Sequence, residues 1–122
     1  MSTVYEQLGG EAAINAAVDV FYRRVLADAY IKRFFDGVDM EMQSNKQKAF
    51  LTMVTGGPNQ YTGTDMREGH KRMVHEMGLN AAHFDHIICH LRSTLAELGV
   101  AQGLIDTVIG VAESTRADVL DQ

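Results

Sequence analysis

Apolar positions along this chain recur three and four residues apart, the spacing of one helical face, and nowhere alternate as they would in a half-buried strand. A short first helix is predicted over about Thr3 to Leu8, closed by Gly9-Gly10. Ile14, Ala17, Val18, Phe21, Val25 and Leu26 then mark a long helix from Glu11 to about Leu26. Asp36-Gly37-Val38-Asp39 reads as a turn, with Asp39 placed to cap a helix from Met40 to about Thr55. Gly56-Gly57-Pro58-Asn59 stops that helix, and a looser stretch runs to Gly63. The next helix is expected from about Asp65 to Met77, broken by Gly78-Leu79-Asn80, with Asn80 as the following N-cap. Phe84, Ile87, Ile88, Leu91, Leu95 and Leu98 form another stripe, ended by Gly99, which can turn left-handed at no side-chain cost. A last helix from about Ala101 to Leu120 is expected to bury Leu104, Val108, Val111 or Ala112, and Leu120. The fold class is all-α, without internal repeats, and 122 residues are the size of one domain.

Two stripes carry residues that an ordinary dry core would not. Gln43, Gln47, Phe50 and Val54 share a face of the 40–55 helix. Burying an unpartnered amide costs roughly 1–3 kcal/mol, so these glutamines sit at a solvent edge or point into a cavity that binds something polar. On the 65–77 helix, Met66, His70, Met73 and Met77 form a row with one imidazole among three methionines. A lone histidine there is either a core residue bonded to a carbonyl or a metal ligand. Imidazole suits iron, and methionines adapt to a large flat apolar cofactor. Tyr22 lies beside Phe21 near the end of the long second helix, and its hydroxyl needs a partner if buried. Taken together, the three features describe one cavity with a histidine on one wall and hydroxyl and amide groups opposite. That arrangement suits a haem with His70 as fifth ligand and hydrogen-bond donors at the sixth position.

Charge and cysteine content narrow the alternatives. The net charge is −5 with no basic stripe, which argues against a nucleic-acid partner. No apolar run approaches the ~18 residues of a membrane span, and the N-terminus has no signal-peptide pattern. Cys89 is the only cysteine, so no internal disulfide forms, and a cytoplasmic location is expected. His83, His86 and His90 share a flank roughly 110° from the apolar stripe at ~100° per residue. A solvated face with adventitious metal affinity is the expectation there.

These residues resemble the truncated haemoglobins, group I, of cyanobacterial type. The resemblance rests on Tyr5-Glu6-Gln7-Leu8-Gly9-Gly10, Phe21-Tyr22, Arg33-Phe34-Phe35, Asp39-Met40, Gln47-Lys48-Ala49-Phe50-Leu51 and Gly56-Gly57-Pro58. It extends through Met66-Arg67-Glu68-Gly69-His70, Gly78-Leu79-Asn80 and His83-Phe84-Asp85, and so covers nearly the whole chain. The resemblance implies a shortened globin fold, two helices crossed on two around haem b. It implies His70 as proximal ligand and Tyr22, Gln43 and Gln47 as the distal hydrogen-bonding group. Phe35, Phe50, Met66, Met73, Phe84 and Ile87 would line the pocket, and Tyr61 and Arg67 would lie at the haem edge near the propionates.

Two positions depart from the closest-looking members of that family. Lys46 stands where many cyanobacterial relatives have a histidine that takes the sixth coordination site. Lys46 lies about 60° from the centre of the distal row and would either pair with a propionate or coordinate iron as a neutral amine. No histidine follows His90, so a covalent haem link from the last helix is excluded and the haem should be non-covalent. The implied function is reversible binding of O2, with NO and CO as further ligands. The alternative is NO dioxygenation, which needs an unidentified external electron donor.

Overall fold

Two adjacent glycines open the architecture: Gly9 and Gly10 have φ of +118° and +72°, a conformation that lets the chain reverse between its first two helices. The computed structural model describes residues 3–57, 70–71 and 74–120. α1 (Val4–Leu8) is capped by the Thr3 hydroxyl, which accepts from the Glu6 amide. α2 (Glu11–Leu26) buries Ile14, Ala17, Val18, Phe21, Tyr22 and Val25, the predicted row with Tyr22 added and with Leu26 only half-buried. α4 (Met40–Val54) starts at Asp39, whose carboxylate accepts from the amides of Glu41 and Met42. Residues 70–71 and 74–75 are helical. α5 (Ala81–Glu97) is capped by Asn80 and ends before Gly99 at φ +78°.

Two short elements between α2 and α4 escape the periodicity. α3 (Ala29–Lys32) runs into a 3-10 turn at Arg33–Phe35. Four and three residues are too few to display a helical period, so only their anchors in the fold place them.

The last helix is a correction. In place of one element over 101–120, α6 (Gln102–Glu113) is followed by α7 (Arg116–Val119). The hydroxyls of Ser114 and Thr115 donate back to the carbonyls of Val111 and Ala112, which competes with helix continuation and breaks the element there. The buried face of α6 is Ile105, Val108, Ile109 and Ala112, while Leu104 is only half-buried.

α2 packs on α4 and α5, α5 packs on α6, and α4 touches α6. The described residues contain no strand. Val18, Val25, Leu51, Leu91, Ile105 and Val108 meet in the shared core.

The α4 C-terminus is tied to α1 by the Tyr5 amide donating to the Thr55 carbonyl at 2.8 Å, and Gly57 turns over the Tyr5 ring. A Cβ at Gly57 would stand 2.6 Å from the Tyr5 ring and 2.9 Å from the Thr52 methyl. Gly57→Ala is therefore expected to destabilise the protein by about 1–3 kcal/mol through overpacking. A lower urea midpoint with an unchanged slope would show it.

Candidate functional site

α2 and α4 meet at a buried polar contact. The Tyr22 side chain is 6% exposed, and its hydroxyl oxygen accepts a hydrogen bond from the Gln43 amide at 3.0 Å. A tyrosine hydroxyl has one proton and room to accept. With the Gln43 amide donating to it, the Tyr22 proton remains to be given to another acceptor. Burial pushes the Tyr22 hydroxyl up to about 12, partly offset by the Gln43 contact, so it stays a neutral donor far above neutral pH. Phe21 and Phe35 hold the ring by edge contacts at centroid distances of 5.0 and 5.7 Å.

The other sequence-derived residues are distributed over α4, α5 and the helical segment at residues 70–71. Gln43 and Gln47 are half-buried one turn apart on α4, and Lys46 between them is exposed. Phe50 is buried on the same helix. Phe84 is buried and Ile87 half-buried on α5. The Arg116 guanidinium lies over the Phe84 ring at 4.6 Å. His70 is helical and half-buried. Tyr61, Met66, Arg67 and Met73 lie outside the described residues. A separate apolar cavity of about 190 Å³ is lined by Leu8, Ala13, Ile14, Ala17, Leu51 and Val108, among others, and includes none of Tyr22, Gln43, Gln47 or His70.

Arg33 links the 3-10 turn to the chain at Met77. Its guanidinium donates to the Met77 carbonyl at 2.9 Å and lies 4.2 Å from the Phe34 ring centre. The segment preceding Phe35 is thereby tied to the chain that follows His70.

The histidine row on α5 departs from the solvated face expected of it. His83 is 5% exposed: it is the third residue of the helix, and its Nδ1 accepts from the Asn80 amide at 3.0 Å, completing a reciprocal cap. The rings of Tyr30 and Phe34 cover it at 4.6 and 4.9 Å. Burial lowers its pKa, with smaller contributions from Arg33 and His86. His86 is exposed, yet its Nδ1 lies 3.1 Å from the Asp28 carboxylate, and His90 Nε2 lies 2.8 Å from the same oxygen. No group of three metal-ligating side chains occurs among the described residues.

Asp28, which nothing in the sequence singles out, is held at about 2 by the His90 contact first and then by His86 and the Tyr30 amide, against its own partial desolvation. A depressed carboxyl pKa adds stability that is present above the ordinary carboxylate value near 4 and is lost as the pH falls toward about 2. The wild-type protein should thus lose more of its thermal midpoint between pH 4 and 2 than Asp28→Asn does. Parallel melting curves of the two proteins would contradict this.

The chemistry of these residues fits a haem pocket: a buried Tyr22 hydroxyl with a proton to give, the Gln43 amide bonded to it, the rings of Phe21 and Phe35 against it, and a half-buried imidazole, His70, on a separate helical segment. The family model for bacterial-like globins matches residues 3–121. The group 1 truncated hemoglobin GlbN of Synechocystis sp. is 51% identical over the full length of both chains. The solved 2/2 hemoglobin of Synechococcus sp., in its cyanomet state and with covalently attached haem, superposes with a TM-score of 0.94 at 43% identity, covering 99% of this chain and 100% of that one. Truncated hemoglobin from Tetrahymena pyriformis, solved also with a tyrosine or either of two glutamines substituted, superposes at 0.88, with 98% of each chain covered and 49–50% identity. Two-on-two helix packing, full-length similarity and this set of donors lead to one conclusion: the chain belongs to the bacterial-like globins, a haem-binding family, and within them to the group 1 truncated haemoglobins.

Proposed function

We propose that this protein holds haem b non-covalently through His70 and binds O2 and other diatomic ligands, NO and CO among them, beside Tyr22. The observation that carries the reading is the buried Tyr22 hydroxyl, which accepts from Gln43 and keeps its own proton. When bound, the haem would supply an iron able to take a diatomic gas. The Tyr22 hydroxyl would donate its proton to a polarised gas ligand beside it, and Gln43 would hold the phenol ring in the donating orientation. Gln47, one turn along α4, is a further amide at the same wall. The substituted tyrosine and glutamines of the Tetrahymena structures are spaced 21 and 4 residues apart, which is the spacing of Tyr22, Gln43 and Gln47. That coincidence supports treating the three as a unit.

Phe35, Phe50, Phe84 and Ile87, with Met66 and Met73 from the sequence, exclude water from the two haem faces. Tyr61 and Arg67 are assigned to the haem edge. Exposure of Lys46 favours its pairing with a propionate at the pocket rim over coordination of iron, which would require a neutral, desolvated amine. The same Tyr22 donor would serve NO dioxygenation, the conversion of O2 and NO to nitrate. That reaction turns over only with an electron donor outside this chain. A reducing, cytoplasmic setting suits both readings and suits the exposed Cys89 thiol.

Absorption spectroscopy of protein expressed with haem supplied tests the proposal. A Soret band that shifts reversibly when the reduced protein meets O2 or CO is expected, with ferrous bands unchanged by Lys46→Ala. Absence of a Soret band overturns the haem assignment, and a change of ferrous band shape in Lys46→Ala assigns that lysine to the iron. Rapid oxidation by NO followed by re-reduction in a cell reductase fraction would move the function from gas binding to dioxygenation.

A further inference from the structure

We propose that Asp28, gripped by His86 and His90, is a proton-sensitive clasp that positions Phe35 against Tyr22 and so regulates how firmly the Tyr22 hydroxyl holds a diatomic ligand. The proposal rests on the function given above and adds a control to the same site.

One carboxylate joins two parts of the fold. Asp28 Oδ1 accepts from the Tyr30 amide at 3.0 Å and so caps α3, while Oδ2 meets His90 at 2.8 Å and His86 at 3.1 Å on α5. α3 and the 3-10 turn after it are each about one turn long, too short to hold themselves, and stay in place through their anchors. Those anchors are the Asp28 clasp, the Tyr30 ring 4.6 Å from both His83 and His86, the buried side chains of Ile31 and Phe34, and Arg33 on the Met77 carbonyl. At the end of the segment, Phe35 lies edge-on to Tyr22 at 5.7 Å, and Tyr22 is bonded to Gln43. Seven residues therefore connect the clasp to the donor of the pocket.

The contact chemistry depends on protons. Both imidazoles approach the same oxygen, so a neutral His86 must carry its hydrogen on Nδ1 and a neutral His90 on Nε2, each with a single N–H to give. A protonated ring donates from either nitrogen and adds its own positive charge to a contact that the ionised Asp28 carboxylate already makes charge-assisted, so the pair becomes an ion pair. Imidazole is the side chain that most readily gains a proton under mild acidification, whereas the Asp28 carboxylate stays ionised to about 2. A proton taken up by either ring therefore tightens the clasp. The other groups facing it are Tyr30 from α3, Arg33 from the 3-10 turn and His83 from α5. His83 already has its Nδ1 taken by the Asn80 amide, and Arg33 is committed to Met77.

The test is the O2 dissociation rate of the ferrous protein from pH 8 to 5.5. A fall of about two- to fivefold is expected in the wild type, at or below the weak end of typical coupling between sites. His86→Gln with His90→Gln keeps an amide donor to Asp28 but does not titrate, and its rate should be independent of pH. A flat wild-type profile, or a slope that survives the double substitution, overturns the clasp. A second readout needs no ligand release: in the diamagnetic CO form, the proton NMR shifts of the Phe35 ring should follow pH in the wild type and stand still in the double variant. Tyr22→Phe separates the two proposals. If that variant releases O2 at the wild-type rate, the pocket reading fails. If it releases O2 faster but the wild-type Phe35 shifts ignore pH, the clasp alone fails.

Discussion

Replacing His70 with leucine is expected to give a folded helical protein that no longer shows a histidine-ligated haem. Leucine is a strong helix former of comparable bulk, so the segment around residues 70–71 should stay helical and the far-UV dichroism should hardly change. What disappears is the ring nitrogen. A neutral imidazole is a good iron ligand, and a saturated hydrocarbon offers no lone pair in its place. Disturbing an outer partner of a metal ligand costs about 10–100-fold in affinity, and loss of the ligand itself should exceed that. Haem should transfer to a competing apoprotein at least two orders of magnitude faster than from the wild type. Free imidazole added at millimolar concentration should restore part of the original spectrum by entering the space the side chain left. An unaltered Soret band with the same axial signature in His70→Leu would remove His70 from the iron.

The parts of the fold that were legible in the sequence are those written in local chemistry. Asp39 and Asn80 cap the helices that follow them because their short side chains reach the free amides of the first turn. Gly99 ends α5 because the next residue must turn left-handed. α2 runs from Glu11 to Leu26, between the glycine pair and the end of its apolar row. Where local preference competes with itself, the pattern misleads. Thr115 falls on the face of Val108, Ala112 and Val119, with Ser114 beside it, so the repeat runs on through them, yet their hydroxyls take the carbonyls that a continuing helix needs. His83 falls on the flank of its wheel, but as third residue of α5 it folds back over the helix start and is buried there.

The candidate site divides along the same line. A row of glutamines on an apolar face is visible from spacing alone and signals a polar cavity without naming its partner. That Gln43 meets the Tyr22 hydroxyl depends on how α2 crosses α4, which no pattern along either helix encodes. The clasp is less legible still. Asp28 lies 58 and 62 residues from its two histidines, and although the histidine row shows in the sequence as one flank of a helix, nothing there marks Asp28 as its partner. Long-range polar contacts need tertiary packing to bring them together, and the sequence marks only the residues able to make them.

Tyr22→Phe isolates the polar part of that packing, because it deletes one oxygen and leaves the ring between Phe21 and Phe35. A hydrogen bond to a charged or strongly polarised group contributes about 1.5–3 kcal/mol, and each 1.36 kcal/mol is a factor of ten. O2 should therefore leave the variant roughly 10–100-fold faster than the wild type. CO acquires much less negative charge in the same position, so its dissociation should change by no more than about twofold. Equal acceleration of both gases would mean that the substitution opened the pocket rather than removed a donor. The Gln43 amide also loses its acceptor, but at a half-buried position water can replace it, so little stability should be lost. Gln43→Leu in the Tyr22→Phe background supplies the remaining corner of a double-mutant cycle. If Gln43 acts by orienting the phenol, its substitution accelerates O2 release in the wild type and has almost no effect once the hydroxyl is gone. Additive effects would instead give Gln43 its own contact with the ligand.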